Sequence, residues 1–233
     1  MSKQSKSSRP CGHVLHTAPD LYILVSYQPR KWEPDYVRAS CEYLDHTDPA
    51  KGSGLSVYLS PFDAHIDAAM LSTTSGRQYH TIHAAEFDPR ELIQDNGGKF
   101  HYFMHCGWGA SDGKLVTRRK GCFVTLCGIE TIDVPPEHSD AIDIKIDRKD
   151  LERYSRMRES AGLFAHAECH SRVRSLSERE RMQHVACAID SVPGTVPVTA
   201  EINQMAMYDF DASQWHFVPI DVFRTNTDDN EAK

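Results

Sequence analysis

A histidine, a cysteine and a second histidine lie close together at His166, Cys169 and His170, in the segment FAHAECHSR. The surrounding charged and alanine-rich residues predict a helix, and positions i, i+3 and i+4 of a helix share one face. Imidazole nitrogen and cysteine sulfur are common zinc ligands, so this face is a candidate metal site. The alternative is an ordinary polar helix face, because no second ligand pair lies nearby in the sequence.

Cys106, in the motif HCGWG, is the best candidate for a nucleophile. The glycines after it would let a substrate approach closely. A reactive thiolate also needs a histidine, a cation or a helix N-terminus that lowers its pKa. The adjacent His105 would point to the opposite face of a strand, so a buried cysteine beside a glycine turn is the alternative interpretation.

The sequence lacks the short motifs of several large enzyme classes. It contains no G-x-S-x-G nucleophile elbow and no phosphate-binding G-x-x-x-x-G-K-[ST] or G-x-G-x-x-G loop. His80 and His83 are three residues apart on a predicted strand and would face opposite sides of it. We therefore expect no bound cofactor.

The composition is that of an ordinary globular protein. The chain has 233 residues, of which 40% are hydrophobic and 25% charged, which is enough for a substantial core. No apolar run approaches the roughly 20 residues that span a bilayer. Seven irregularly spaced cysteines without an export signal predict reduced thiols and a cytoplasmic location. The net charge of −7 disfavours nucleic acid as a partner, because phosphate binding needs a basic surface.

Hydrophobic periodicity predicts the elements that would position these residues. Strands are predicted at residues 21–27, in several pieces between residues 55 and 108, and at residues 141–147, 198–208 and 215–223. Helices are predicted at residues 32–44, after Pro61, near residues 150–171 and near residues 178–189. Ser177 followed by Glu180 predicts a capping box at the start of the last helix.

Strands and helices that mix without a regular βαβ rhythm predict an α+β fold. We expect a mixed, mostly antiparallel sheet with flanking helices and a helical insert near residues 148–190. Because no Gly/Ser/Pro-rich linker divides the chain, we expect one domain over residues 21–224. A flexible N-terminal tail would occupy residues 1–20, and a disordered acidic tail residues 225–233.

Acidic residues between Asp140 and Asp147 form the candidate binding surface. In the segment AIDIKID, Asp143 and Asp147 alternate with isoleucines, which predicts a half-exposed strand with its carboxylates in solvent. Asp140 precedes this strand in a polar turn. We expect Asp140, Asp143 and Asp147 to contact a protein partner.

Residues 54–93, GLSVYLSPFDAHIDAAMLSTTSGRQYHTIHAAEFDPRELI, resemble two known families. The order strand, helix, strand, helix resembles the SseB-like bacterial α+β proteins. The pattern that ends in D-P-x-x-L is similar to the ADP-ribosyltransferase fold. That resemblance implies a basic residue in an early strand, a Ser-Thr-Ser-like element and a late catalytic glutamate.

The residues that match this transferase pattern are Arg30, Ser72 and either Glu130 or Glu201. Arg30 comes just after the early strand, and Ser72 lies at the end of a helical run instead of opening a strand. Both glutamates lie in predicted strands, and the sequence does not select between them.

Two functional hypotheses follow. The first is a cytoplasmic protein-binding module, for example a bacterial immunity-type protein that binds and neutralises a toxin or effector. Mild acidity and the missing catalytic motifs favour it. The alternative is an enzyme with an ADP-ribosyltransferase-like fold, or one that depends on a cysteine or a metal.

Overall fold

The computed structural model describes residues 12–32 and 36–221, without the side chain of His166. Helices, counted with three short 3-10 turns, make up 32% of the described residues and strands 36%, which confirms the predicted α+β fold class. Within the described residues, none of the helices is long and apolar enough to cross a membrane.

The strands and helices follow one another in a mixed order along the chain. The strands are β1 (Leu15–Ala18), β2 (Tyr22–Tyr27), β3 (Val37–Ala39), β4 (Cys41–Tyr43), β5 (Ser53–Tyr58), β6 (Tyr79–His83), β7 (Lys99–Ser111), β8 (Lys114–Thr117), β9 (Thr125–Asp133), β10 (Ile142–Lys145), β11 (Thr195–Pro197), β12 (Gln204–Asp209) and β13 (Gln214–Pro219). The helices are α1 (Pro61–Ser75), α2 (Arg90–Asp95), α3 (Arg148–Ser160), α4 (His166–Ser175) and α5 (Glu178–Asp190).

The chain divides into two compact units. Within the described ranges, unit 1 consists of residues 12–59, 80–105 and 128–146. Unit 2 consists of residues 60–79, 106–127 and 147–221. Nothing in the structure tests the single domain expected for residues 21–224, so it stays a prediction.

Unit 1 is built on the buried strand β2. The side chains of Ile23 and Leu24 are fully buried, as the continuous apolar run of this strand predicts. β2 pairs antiparallel with β5 through Tyr22 and Ile23, and antiparallel with β3 through its last residues. β5 in turn pairs parallel with the first part of β7.

Unit 2 packs helices against a second group of strands. β12 pairs antiparallel with β13 and with the second part of β7, while β8 pairs antiparallel with β7 and parallel with β11. Trp108 is fully buried in the main core cluster, together with Phe62 and Ile66 of α1 and Val185 of α5. The helix after Pro61 is confirmed: Ser60 caps its start, and Gly76 ends it in the left-handed conformation.

The predicted helix over residues 32–44 is wrong, because this segment forms β3 and β4. The described residues there alternate as a strand does: Ala39 is buried and Arg38 exposed. The edge of β2 accepts this segment through main-chain hydrogen bonds, which override the weak helical stripe. Residues 33–35, with Pro34 at the expected helix start, lie outside the described residues.

The helical insert at residues 148–190 contains three helices instead of the two expected. The predicted helix near residues 150–171 is interrupted at Gly162, which has a positive φ of 85°. The Gly162 N–H donates to the Glu159 carbonyl and the Leu163 N–H to the Arg158 carbonyl. This pair of bonds is a Schellman motif and ends α3. The predicted capping box of Ser177 and Glu180 is confirmed at the start of α5.

Only residues 12–20 of the two expected tails lie within the described part of the chain. Residues 15–18, inside the expected N-terminal tail, form β1, which pairs parallel with β10. Leu15 is fully buried, so hydrophobic burial anchors this part of the segment. Residues 1–11 and 222–233, with the expected acidic tail, lie outside the described residues.

His65 of α1 makes a contact with α5 that predicts sensitivity to acid. Its Nε2 lies 3.3 Å from the Arg181 Nη1. Burial, and then the positive charge of Arg181, lower the pKa of His65 from 6.5 to about 4. As the pH falls, the unfolded chain binds a proton at this histidine before the folded chain does, so folding stability is lost between about pH 6.5 and about pH 4.

We expect His65→Gln to reduce the loss of unfolding free energy between pH 6.5 and pH 4, the interval between the two pKa values. Urea unfolding at a series of pH values, followed by circular dichroism, measures this slope. His46→Gln is the matched control, since His46 is exposed. An unchanged slope in His65→Gln would contradict the assignment.

Candidate functional site

Helix α4 carries the predicted metal-ligand face, and two of its three residues can be placed. Cys169 and His170 line a cavity of about 210 Å³ in unit 2. The side chain of His166 is not among the described parts of the structure. Burial, and then the Asp63 carboxylate, raise the pKa of the Cys169 thiol to about 11, so it is protonated at neutral pH. Among the described residues, no group of three or more His, Cys, Asp or Glu side chains could hold a metal ion. The metal site stays a prediction.

Cys106, the candidate nucleophile, is half-buried on β7 in unit 2. It packs against an apolar cluster that contains Met157, Met205 and Met207. This packing supports the alternative interpretation of Cys106 as a core residue.

The candidate transferase residues belong to different units. Arg30 and Glu130 are part of unit 1, and Ser72 and Glu201 are part of unit 2. The Ser72 hydroxyl donates to the Ala68 carbonyl at 2.7 Å and accepts from the Tyr79 N–H at 2.8 Å, so it completes the C-terminal part of α1. Glu130 lies exposed on β9, whereas Glu201 lies before β12 and not in the predicted strand.

The three aspartates of the predicted binding surface have different environments. Asp140 accepts a hydrogen bond from Arg90 Nη1 at 2.8 Å. Asp143 is exposed on β10, whose isoleucines are buried, as the alternation predicts. Asp147 is not on this strand, because β10 ends at Lys145; it caps α3 by accepting from the Arg148 N–H at 2.9 Å. Asp140 and Asp143 belong to unit 1 and Asp147 to unit 2.

Unit 1 contains a cleft of about 810 Å³ that follows the edge of β3. All three residues of β3, Val37, Arg38 and Ala39, line it. Successive residues of a strand point to opposite faces, so a cleft that contacts all of them runs along the edge of the strand and not over one face. Cys41 of β4 and Ser53 of β5 also line the cleft, and α2 lies on its other side.

The main-chain groups of β3 that border this cleft can be identified from the register. The Gln28 N–H donates to the Tyr36 carbonyl at 2.9 Å, and the Ser40 N–H to the Leu24 carbonyl at 2.7 Å. In an antiparallel ladder, the hydrogen-bonded positions alternate with those whose N–H and C=O groups point outward. Val37 and Ala39 therefore direct their main-chain groups away from β2. β3 is also the last strand in the order of the described sheet.

β4 repeats this arrangement on β5. The Leu44 N–H donates to the Gly52 carbonyl, and the Ser56 N–H to the Ser40 carbonyl, both at 3.1 Å. By the same alternation, Cys41 directs its main-chain groups away from β5. Two short strand edges with outward-facing amides, at β3 and β4, thus belong to residues that line one cleft.

Arginine, tyrosine and carboxylate side chains form the walls of the cleft. The Arg30 guanidinium donates to Glu91 at 3.0 Å and lies 3.4 Å from the centre of the Tyr36 ring. The Tyr36 hydroxyl donates to the same Glu91 carboxylate at 3.0 Å. The hydrogen bond from Arg30 lowers the pKa of Glu91, so this carboxylate is ionised at neutral pH.

A buried ion pair lies beside the smaller cavity in unit 2. Asp63 of α1 and Arg158 of α3 are 1% and 3% exposed, and the Arg158 Nη2 donates to the Asp63 carboxylate. Burial alone would lower the pKa of Arg158, but the carboxylate and Tyr154 raise it above its ordinary value, so the arginine stays charged. Burial raises the pKa of Tyr154, whose ring centre lies 5.1 Å from the guanidinium carbon.

Sequence reasoning missed both of these features. The cleft was hidden because residues 32–44 were expected to be helical. The ion pair joins residues 95 positions apart, so no local pattern reveals it. One signal was present: Asp63 and Asp67 are four residues apart in the mostly apolar segment FDAHIDAAML, and a carboxylate pair on one face of such a helix indicates buried polar partners.

Comparison with protein-family models, with curated proteins and with solved structures finds no match. The resemblances of residues 54–93 to the SseB-like proteins and to the ADP-ribosyltransferases stay predictions.

Proposed function

We propose that this protein is a protein-binding module and that its cleft in unit 1 takes an extended segment of the partner. The single observation behind this proposal is the edge of β3, whose outward main-chain groups border an open cleft of about 810 Å³. Adding a strand to an exposed sheet edge is a common mode of peptide recognition.

The residues around this edge have the composition of a binding surface. Tyr27 and Tyr43 are 62% and 50% exposed. Tyr27 is directly opposite Val37, and Tyr43 is directly opposite Ser53, so both are paired with residues that line the cleft. Tyrosine, tryptophan and arginine are the residue types that dominate binding energy at protein interfaces.

Charge favours a basic partner. The cleft is lined by the carboxylates of Glu86, Asp88, Glu91 and Asp95 against the guanidinium groups of Arg30, Arg38 and Arg90. The whole chain carries a net charge of −7, which accelerates encounter with a positively charged protein. Asp140, which holds Arg90, thereby supports one wall of the cleft.

We propose that the partner is a basic toxin or effector, which this protein binds through the cleft and neutralises in the cytoplasm. The alternative enzymatic functions gain less support. Cys106 has apolar neighbours, and the hydroxyl of Ser72 is used within α1 and its following turn.

A proline at Val37 tests the proposal. Val37→Pro removes the outward N–H of β3 but none of the hydrogen bonds to β2, and proline is tolerated at such an edge position. We expect the variant to keep its fold and to bind the partner roughly 5- to 10-fold more weakly, the effect of about one hydrogen bond. The partner is first isolated by affinity capture, and calorimetry then measures its affinity.

Val37→Ala is the matched control, since it shortens the same side chain but keeps the N–H. We expect its affinity to be closer to that of the wild type than to that of Val37→Pro. Equal affinity of Val37→Pro and Val37→Ala would show that the partner does not add a strand to β3.

A further inference from the structure

The cavity of about 210 Å³ in unit 2 combines aromatic walls with carboxylates. Phe62, Phe164, Tyr208 and Phe210 all line it. The Phe62 and Tyr208 rings stack with their centres 5.5 Å apart, and the Phe62 and Phe210 rings meet edge to face at 4.9 Å. The wall is therefore held in place by the core of the unit.

The charges around this cavity leave an excess of carboxylate. The cavity is lined by three aspartates and one arginine: Asp63, Asp209, Asp211 and Arg158. Arg158 is paired with Asp63, and Arg172 is paired with Asp211. Asp209 adds a third carboxylate, whose Oδ1 accepts the N–H groups of Asp211 and Ala212 and whose Oδ2 lies 3.6 Å from the His216 Nε2.

The Arg172 guanidinium, which does not itself line the cavity, contacts one carboxylate and one aromatic ring that do. Besides its ion pair with Asp211, the Arg172 guanidinium lies 5.5 Å from the centre of the Phe210 ring. A cation held by a carboxylate over an aromatic face is stabilised by both groups.

Phe164 is the feature that core packing does not explain. It is 77% exposed on the short segment between α3 and α4, although it lines the cavity. The preceding Gly162, with its positive φ of 85°, sets the course of this segment. An exposed aromatic ring at the mouth of a cavity with aromatic walls is the arrangement that proteins use around alkylated ammonium groups.

We infer that this cavity binds an organic cation with an alkylated ammonium group, from either a free small molecule or a methylated lysine side chain. A metal ion fits less well: Cys169 and His170 also line the cavity, but among the described residues no three His, Cys, Asp or Glu side chains are grouped so that they could hold one. An anion would meet the carboxylates of Asp209 and Asp211.

Calorimetry with choline, and with its uncharged carbon analogue 3,3-dimethylbutan-1-ol, tests the inference. The two probes have nearly the same shape, so a difference between them reports the charge. We expect choline to bind and the alcohol to bind at least about tenfold more weakly. Absence of choline binding, or equal binding of the two probes, would overturn the inference.

The variant Phe164→Ala tests whether choline binds in this cavity. Because Phe164 is largely exposed, its removal leaves the core intact, and we expect choline affinity to fall about fivefold. Met182→Ala is the control: Met182 is 50% exposed on α5 and does not line the cavity. Unchanged affinity in Phe164→Ala would also overturn the inference.

A short peptide with one trimethyl-lysine distinguishes the two sources of the cation. If the peptide binds more tightly than choline, the ligand is a modified side chain; if choline binds more tightly, it is a free small molecule. Both outcomes support the cation site. The test does not depend on Val37 or on the cleft in unit 1, so the proposed function can fail independently.

Discussion

Arg158→Met is expected to destabilise the protein by about 3–5 kcal/mol, because it leaves the Asp63 carboxylate buried without its counter-ion. Both residues of this pair are almost fully buried. Methionine preserves much of the volume of the arginine stem, so the lost charge accounts for most of the effect. Equilibrium unfolding in urea measures the change.

The double variant Asp63→Leu/Arg158→Met separates charge from packing. It removes both charges, so we expect it to recover most of the stability that the single variant loses. Arg148→Met is the matched control, since Arg148 pairs with Glu152 in solvent, where an ion pair contributes about 0–1 kcal/mol. A double variant as unstable as the single one would show that the packing of these side chains, and not their charge, stabilises the fold.

Trp108→Ala is expected to lower the free energy of unfolding by about 3–5 kcal/mol. Trp108 is fully buried, and its ring centre lies 5.1 Å from that of Trp215. Its indole N–H also donates to the Asp67 carboxylate at 2.8 Å. The substitution therefore creates a cavity and removes a donor from a buried carboxylate.

Trp32→Ala provides the comparison within the same protein. Trp32 is 83% exposed, so we expect its removal to change the unfolding free energy by no more than about 0.5 kcal/mol. Thermal unfolding followed by circular dichroism compares the two variants. A loss of less than about 1 kcal/mol in Trp108→Ala would mean that the surrounding aromatic side chains collapse into the space.

The sequence predicts elements well where one local signal dominates. The buried strand β2, the helix α1 that starts at Pro61 and the capping box of α5 all follow from apolar runs, a helix-starting proline or capping residues. The sequence misleads where a tertiary contact decides. Residues 37–43 form strands because they pair with β2 and β5 through main-chain hydrogen bonds. The sequence of the segment itself does not reveal this pairing.

The candidate sites were harder to predict than the fold. Cys106 and Ser72 attract attention as chemical groups, but their environments are set by residues distant in the sequence, such as Met205 for Cys106. Conversely, Phe164 and Val37 carry no chemical signal of their own. Each gains its proposed role from the cavity or strand edge beside it, which only a three-dimensional structure shows.

The shortness of β3 limits how long a complex at the cleft can last. A strand of three residues, Val37–Ala39, with two outward-facing positions forms only a few main-chain hydrogen bonds with a partner, each contributing about 0.5–1.5 kcal/mol. Such a ladder alone dissociates quickly. The lifetime of the complex must therefore come from side-chain contacts with the exposed Tyr27 and Tyr43, so changes at these rings should alter the dissociation rate more than the association rate.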